Sequence, residues 1–387
     1  MGSRSQARPR LAGHRMPTDY AMGPAVLFWE ITRACALACR HCRAEAQPKR
    51  HPLELNREEC FALVDEIVGF HPKPILVISG GDPLMRRDLF DVAAYAVAQG
   101  LRTSLSPSVT ALITPRNLAR AYDVGVRHIS LSLDGPTPEV HDEFRGVPGS
   151  YERTLRAIGA AQEAGLTVRL NTTVSRWNLT HLEATAEVVA RTGAVLWDLF
   201  FLVPTGRARR SGMLSAEEHE RVFRWLHRLS RKASFGVKTT LGQPFRRVML
   251  QQAAQEDADA GSLPSTNDGK GIMFVSHVGE IYPSGFLPVS CGNVRTDSPV
   301  ETYRTHPVFQ ALRDPDALKG KCGTCPFRAL CEGCRARAYA CTGDYLAADP
   351  SCIYEPARDR DDVGTTASRG ASMFTRSYQP SDERITG

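Results

Sequence analysis

From Pro24 to Val203, short apolar, β-rich runs alternate with stretches whose apolar residues recur at helical spacing, and this alternation restricts the chain to folds built on a parallel sheet. Ala25 to Ile31, Ile75 to Ser79, Leu101 to Leu105, His128 to Leu133, Thr167 to Val174 and Leu196 to Val203 read as six strands. Helices are expected at Arg57 to Phe70, Asp88 to Gln99, Pro115 to Asp123, Tyr151 to Glu163, His181 to Arg191 and Ser215 to Leu229. Local signals agree. Asn56 stands before Glu58 and Glu59 as a cap, Pro115 follows Thr114 in a first turn, and Gly100 and Gly165 come just after helix ends. Six successive βα units with right-handed crossovers give an α/β fold, a partial (β/α)6 barrel of TIM type over residues 24–235, with chemistry at the C-terminal ends of the strands.

The alternation then stops. Residues 236–270 are expected to be linker and loop, since Gln251 to Lys270 is polar and rich in small residues. Met273 to Ser276, a Val278-Gly279 turn and Ile281-Tyr282 predict a β-hairpin that opens a small cysteine-rich domain over 271–356. Residues 1–23 form an arm expected to be disordered, with Arg4, Arg8, Arg10 and Arg15 ahead of its first acid, Asp19, and residues 357–387 form a polar tail expected to be mobile. A chain of 387 residues that is 42% hydrophobic can bury a large core. No run nears the roughly 18 apolar residues of a membrane span, and no signal-peptide stretch opens the chain, so a cytoplasmic location without membrane contact is expected. The net charge of +6 comes partly from the arm, which leaves the folded body closer to neutral and argues against a nucleic-acid partner.

Eleven cysteines in such a chain point to metal binding or redox chemistry rather than disulfides. Cys60 stands alone in the apolar period of a helix and reads as a core residue. Cys35, Cys39 and Cys42 make a CxxxCxxC triplet directly after the first strand, on what would be the catalytic face of a barrel. Three thiolates on one short loop can hold three corners of an iron–sulfur cube and leave the fourth iron open to a chelating ligand. Small hydrophobes on one helix face would show the same spacing, but Thr32-Arg33, Arg40-His41 and Arg43 make that face poorly apolar. Zinc usually wants a fourth local ligand, for which His41, between two of the cysteines, is badly placed. A c-type haem attachment fails because Arg43, not His, follows Cys42.

With His41 before its third cysteine, this loop resembles that of the radical S-adenosylmethionine superfamily, where an aromatic residue or His takes that place. Ser79-Gly80-Gly81-Asp82-Pro83-Leu84, at the end of the second strand, is similar to the family's glycine-glycine-acid motif. Ser132-Leu133-Asp134-Gly135 closes the fourth strand, Asn171-Thr172-Thr173-Val174 the fifth and Val203-Pro204-Thr205-Gly206 the sixth. Each segment alone would pass for an ordinary turn or strand end; their order is what carries the resemblance. It implies a four-iron four-sulfur cluster on Cys35, Cys39 and Cys42, with S-adenosylmethionine on its open iron. The methionine ammonium would then lie at Gly80, Gly81 and Asp82, the ribose near Ser132, Asp134 and Asn171, and the adenine near Val203. It also implies reductive cleavage of the cofactor to a 5′-deoxyadenosyl radical that takes a hydrogen atom from substrate, with a flavodoxin or ferredoxin as electron donor.

Cys322, Cys325, Cys331, Cys334, Cys341 and Cys352 form a second soft-ligand region, for which zinc and iron–sulfur stand about even on the cysteines alone. The region resembles the SPASM or shorter twitch extension of the same superfamily, which carries auxiliary clusters, and Cys322, Cys325, Cys331 and Cys352 match its ligand pattern best. Pro283-Ser284-Gly285 replaces the cysteine that usually follows the hairpin, so one auxiliary cluster is expected; Cys291, Cys334 and Cys341 do not have the common spacing for a second.

The motifs together look most like the branch containing the haem-synthesis decarboxylases and the haem d side-chain enzyme, which makes a tetrapyrrole side chain the expected substrate. Arg207, Arg209, Arg210, Arg246 and Arg247 could bind its propionates, against the plainer reading of solvated surface charge. A maturase of a ribosomally made peptide is the rival; only about twenty-four residues precede the first strand, too few for a peptide-binding domain. From another class, a zinc-bearing nucleic-acid-binding protein is opposed by the modest charge and the lack of interleaved aromatics.

Overall fold

In the computed structural model, which describes residues 19–255 and 265–356, the six expected strands form at β1 (Val26–Glu30), β2 (Ile75–Ser79), β3 (Arg102–Leu105), β4 (His128–Ser132), β5 (Thr167–Val174) and β6 (Leu196–Phe201). The expectations for the arm before residue 19 and for the tail from 357 fall outside the described residues. The crossovers carry α1 (Arg57–Val68), α2 (Leu89–Ala98), α3 (Pro115–Asp123), α4 (Pro138–Arg145), α5 (Ser150–Glu163), α6 (Leu182–Arg191) and α7 (Ala216–Lys232). Asn56 caps α1 as expected: its side chain accepts the Glu59 amide at 2.8 Å while the Glu59 carboxylate takes the Asn56 amide. Helix α4, which the periodicity did not indicate, is one short amphipathic segment ended by Gly146 at φ +69°.

Along each strand the side chains alternate between two environments. Leu27 and Trp29, Leu76 and Ile78, Ile129 and Leu131, Val168 and Leu170 are buried in the core shared with the helices. The residues between them, including Val77, Ser130, Ser132, Arg169, Asn171 and Thr173, stand half-buried on the opposite, concave face. On β4 and β5 that face is polar, while β1, β2 and β6 add apolar side chains such as Phe28, Val77 and Phe200.

Residues 236–270 are not linker throughout, which corrects the expectation. Gly236–Thr240 forms β7, parallel to β6 from Leu196↔Gly236 to Phe200↔Thr240, and Pro244–Gln255 forms α8. β7 ends the sheet and carries Lys238 at its centre, so it lacks the apolar alternation that marks an inner strand. After β8 (Asn267–Asp268), the expected hairpin forms from β9 (Gly271–Val275) and β10 (Ile281–Tyr282), and β9 also lies parallel to β1, pairing Val26 with Ile272. The strand order is therefore β10-β9-β1-β2-β3-β4-β5-β6-β7, and the cysteine-rich region grows out of the barrel's own sheet. It continues through α9 (Pro299–Thr305), α10 (Pro307–Arg313), α11 (Gly320–Gly323) and α12 (Arg335–Thr342).

Candidate active site

The loop after β1 gathers Cys35, Cys39 and Cys42 into one patch with Leu37, Ala46 and Val147. Its ends are stitched to each other, since the Cys35 amide donates to Gln47 O at 2.8 Å and the Gln47 amide to Arg33 O at 3.0 Å. Two strand ends then clamp it. From β2, the Gly81 amide reaches Thr32 O at 2.8 Å and the Asp82 amide reaches Ala34 O at 2.7 Å. A Cβ on Gly80 or Gly81 would fall 2.5 Å from those same carbonyl oxygens, so the glycine pair permits the approach. From β6, Gly206 lies against the Cys42 and Arg43 carbonyls at φ +63°, and the Arg207 guanidinium binds Cys39 O at 3.0 Å and Ala46 O at 3.2 Å.

A third element approaches the sulfurs themselves. Asp134, at the end of β4, is fully buried and pairs with Arg145 of α4 at 2.5 Å, and Arg145 extends to the Cys39 sulfur at 3.8 Å. Burial pushes the Cys39 thiol up and the Arg145 charge pulls it back; burial raises Cys35 likewise, opposed by the Ser108 hydroxyl 3.5 Å from its sulfur. The Leu37 amide donates to the Cys35 sulfur and the Ala46 amide to that of Cys42. Around this loop His41 Nδ1, Arg145 Nε and Arg207 Nη2 are buried without a hydrogen-bond partner. Orphaned buried polar atoms gathered at one loop are hydrogen-bonding capacity that a group not made of protein would use. His41 is neutral there, its pKa lowered to about 3 by burial, and its ring packs 4.3 Å from that of Phe144.

The remaining predicted residues divide. Ser132 and Arg145 line one pocket beside Leu37, and Asn171 stands opposite Ser132 in the strand register with its side chain on the concave face. Asp134 instead spends its carboxylate on Arg145 and the Thr173 amide, and Asp82 turns inward to Thr110 and the Leu84 amide. At the glycine pair the buried Gly81 carbonyl takes the Ser108 hydroxyl at 2.6 Å. The Val203 side chain packs into a second core with Leu241, Leu287 and Leu312, so only its backbone faces the barrel end. Arg145 and Ser108 are additions to the residues expected from sequence: the His141-to-Gly146 stretch is visible as a motif, while nothing in the pattern marks Ser108.

Four of the five arginines singled out for carboxylates are engaged elsewhere. Arg207 holds the cysteine loop, Arg210 the Ala340 and Cys341 carbonyls, Arg246 the Leu330 carbonyl and Arg247 the buried Glu220. Arg207, Arg246 and Arg247 are at least half-buried and Arg210 is exposed but bonded, and Arg209 alone of the set is exposed without a protein partner among the described residues.

In the C-terminal region Cys322, Cys325, Cys331 and Cys352 line one cavity, with Arg247 and Tyr354 at its wall. Among the described residues no three His, Cys, Asp or Glu side chains converge on a point one ion could fill, here or at Cys35, Cys39 and Cys42. The Asp349 amide donates to the Cys322 sulfur at 3.4 Å. The other cysteines lie apart: Cys334 is buried as the cap of α12, Cys341 ends that helix, Cys291 sits behind β10 and Cys60 inside α1, burial pushing the last two up to about 12. Fully buried Arg337 ties this region to the barrel through the Phe201 and Leu241 carbonyls.

A half-barrel of parallel strands with a three-cysteine loop at the C-terminal end of its first strand defines a class, the α/β enzymes that present soft ligands on the catalytic face. The chain belongs to the radical SAM superfamily, whose sequence profile matches residues 29–189 and whose members bind S-adenosylmethionine and a 4Fe–4S cluster. It is 40% identical to the AdoMet-dependent heme synthase of Oleidesulfovibrio alaskensis (86% of this chain, 88% of that protein) and 41% identical to that of Methanosarcina barkeri (87% and 98%). Identity to the mycofactocin maturase MftC of Mycobacterium tuberculosis is 30%, over 87% of this chain and 86% of that one. The fold matches Streptococcus suis SuiB, solved with its precursor peptide SuiA, at a TM-score of 0.65 with 14% identity, over 86% of this chain and 76% of that one.

Proposed function

We propose that this radical SAM enzyme oxidatively decarboxylates the carboxylate side chains of an iron tetrapyrrole on the way to haem. The observation that carries the reading is identity of 40–41% to two AdoMet-dependent heme synthases along nearly the whole of each chain, against 30% to a peptide maturase. Cys35, Cys39 and Cys42 hold the cluster, and the buried orphan atoms of His41, Arg145 and Arg207 support a non-protein group at that loop. When bound, S-adenosylmethionine supplies a 5′-deoxyadenosyl radical able to remove a hydrogen atom from substrate. The residues of the chain orient it: the Gly81 carbonyl and Ser108 hydroxyl suit its ammonium, Arg145 and Ser132 its carboxylate, and Asn171 its ribose.

Cys322, Cys325, Cys331 and Cys352 would hold one auxiliary 4Fe–4S cluster in the cavity they share, which would supply an acceptor for the electron left by decarboxylation. A flavodoxin or ferredoxin delivers the electron that starts each turnover. The test is anaerobic incubation of the reduced enzyme with S-adenosylmethionine and Fe-coproporphyrin III, followed by mass spectrometry. Loss of carboxyl groups together with 5′-deoxyadenosine is expected; an unchanged porphyrin with a modified candidate peptide would transfer the enzyme to the maturases. Colourless, zinc-loaded protein after anaerobic purification would remove the reading altogether.

A further inference from the structure

The concave face of the half-barrel holds a charged group that the cofactor site does not use. Arg169 lies on β5 two residues before Asn171 and on the same face, about 7 Å deeper in the barrel. It stands beside Ser130 of β4 and Leu196 of β6. Its Nε is buried without a hydrogen-bond partner, and its side chain makes no ion pair among the described residues. The nearby carboxylate, Asp198, is already held by Lys238 at 2.8 Å and by the Thr240 hydroxyl at 2.8 Å. Asp198 and Lys238 cancel, so the Arg169 charge is left over.

Beside it a second buried polar atom is orphaned, Nδ1 of His128 at the start of β4. Burial and the charges of Arg169 and the exposed Arg102 lower the His128 pKa, so at neutral pH its imidazole is uncharged and can donate a hydrogen bond without adding charge. A partly desolvated arginine whose buried Nε has no acceptor, next to a buried imidazole nitrogen that also lacks a partner, is a costly arrangement unless a ligand satisfies both. A carboxylate matches both groups: it accepts N–H groups of the guanidinium and of the imidazole, and its charge offsets that of Arg169.

We propose that Arg169 and His128 form a carboxylate-binding subsite on the floor of the half-barrel that takes one carboxylate arm of the substrate. The proposal rests on the tetrapyrrole reading above and adds to it a determinant of orientation. With one arm fixed at Arg169, below the Ser132–Asn171 level where the cofactor is expected, the macrocycle can turn only one of its other arms toward the radical.

The test uses the iron–sulfur-loaded enzyme without S-adenosylmethionine or reductant. Binding of Fe-coproporphyrin III and of its fully methyl-esterified form is followed by the change in the porphyrin's main absorption band. R169Q is expected to weaken the acid about tenfold to a hundredfold, the range of a lost charged hydrogen-bonded pair, and to leave the ester unchanged. R169K is expected to retain most of the affinity, and the iron content of both variants to equal wild type, since neither cysteine set touches Arg169. Equal affinity of R169Q and wild type for the acid, or equal affinity of wild type for acid and ester, overturns the subsite alone. Failure of wild type to bind either porphyrin overturns the tetrapyrrole reading, and the subsite with it.

Discussion

Replacing Gly81 by alanine tests how the cysteine loop is held. The added Cβ would lie 2.5 Å from Ala34 O and 2.6 Å from Arg33 O, both backbone atoms that no side-chain rotation can move aside. The loop has to retreat, which breaks the Gly81–Thr32 and Asp82–Ala34 hydrogen bonds at 2.8 and 2.7 Å. Two such bonds at about 1 kcal/mol each, with about 2 kcal/mol for overpacking, give a loss of about 4 kcal/mol. Gly159 provides the control: it sits in α5 with no heavy atom within 4 Å of where an added Cβ would lie, so G159A is expected to gain about 0.5–1 kcal/mol from helix propensity. Urea unfolding followed by circular dichroism reads both variants, and iron analysis reads the loop. G81A is expected to lose the iron bound at Cys35, Cys39 and Cys42 while keeping that of the C-terminal cysteines. If G81A unfolds within about 1 kcal/mol of wild type and holds the full complement of iron, the clamp is not where the loop's order originates.

Asp82 sets a pH dependence of definite sign. Burial raises its pKa from 3.8 to about 6, so the native state binds the proton more tightly than the unfolded chain. Its contribution is therefore full below about pH 4 and declines as pH rises through 6, by on the order of 3 kcal/mol. D82N, which keeps an acceptor for the Leu84 amide and turns its NH2 toward the Thr110 hydroxyl, is expected to flatten the fall between urea unfolding at pH 4.5 and at pH 7; an unchanged slope would assign the ionisation elsewhere. Serine at Cys322, Cys325, Cys331 or Cys352 is expected to remove one cluster's worth of iron, and serine at Cys291, Cys334 or Cys341 none, by iron and sulfide analysis. Iron loss from C334S as large as that from C331S would show that the cavity is not the ligand set.

Much of the fold and site is legible in the residues because local and global signals agree. The βα periodicity, the Asn56 cap and the glycines after helix ends indicate the barrel, and the cysteine triplet falls where a parallel barrel puts its chemistry. β7 stays hidden because an edge strand needs only one protected side, so Lys238 is tolerated at its centre. The arginines mislead for a different reason. Arg207, Arg210, Arg246 and Arg247 cap backbone carbonyls or pair with Glu220 across contacts far apart in sequence, which no local pattern encodes. Arg169 looks like an ordinary strand residue, and only its lack of a partner on the concave face singles it out among the described residues. Asp82 and Asp134 occupy the family's motif positions, yet their carboxylates turn inward to Thr110 and Arg145, a choice set by tertiary packing.

The most direct measurement is 5′-deoxyadenosine production after dithionite reduction with S-adenosylmethionine, comparing wild type with a variant carrying alanine at Cys35, Cys39 and Cys42. The account predicts product from wild type and none from the variant, which still retains the iron of its C-terminal cysteines. Product formed by the variant at the wild-type rate, or none formed by wild type fully loaded with iron, would contradict it.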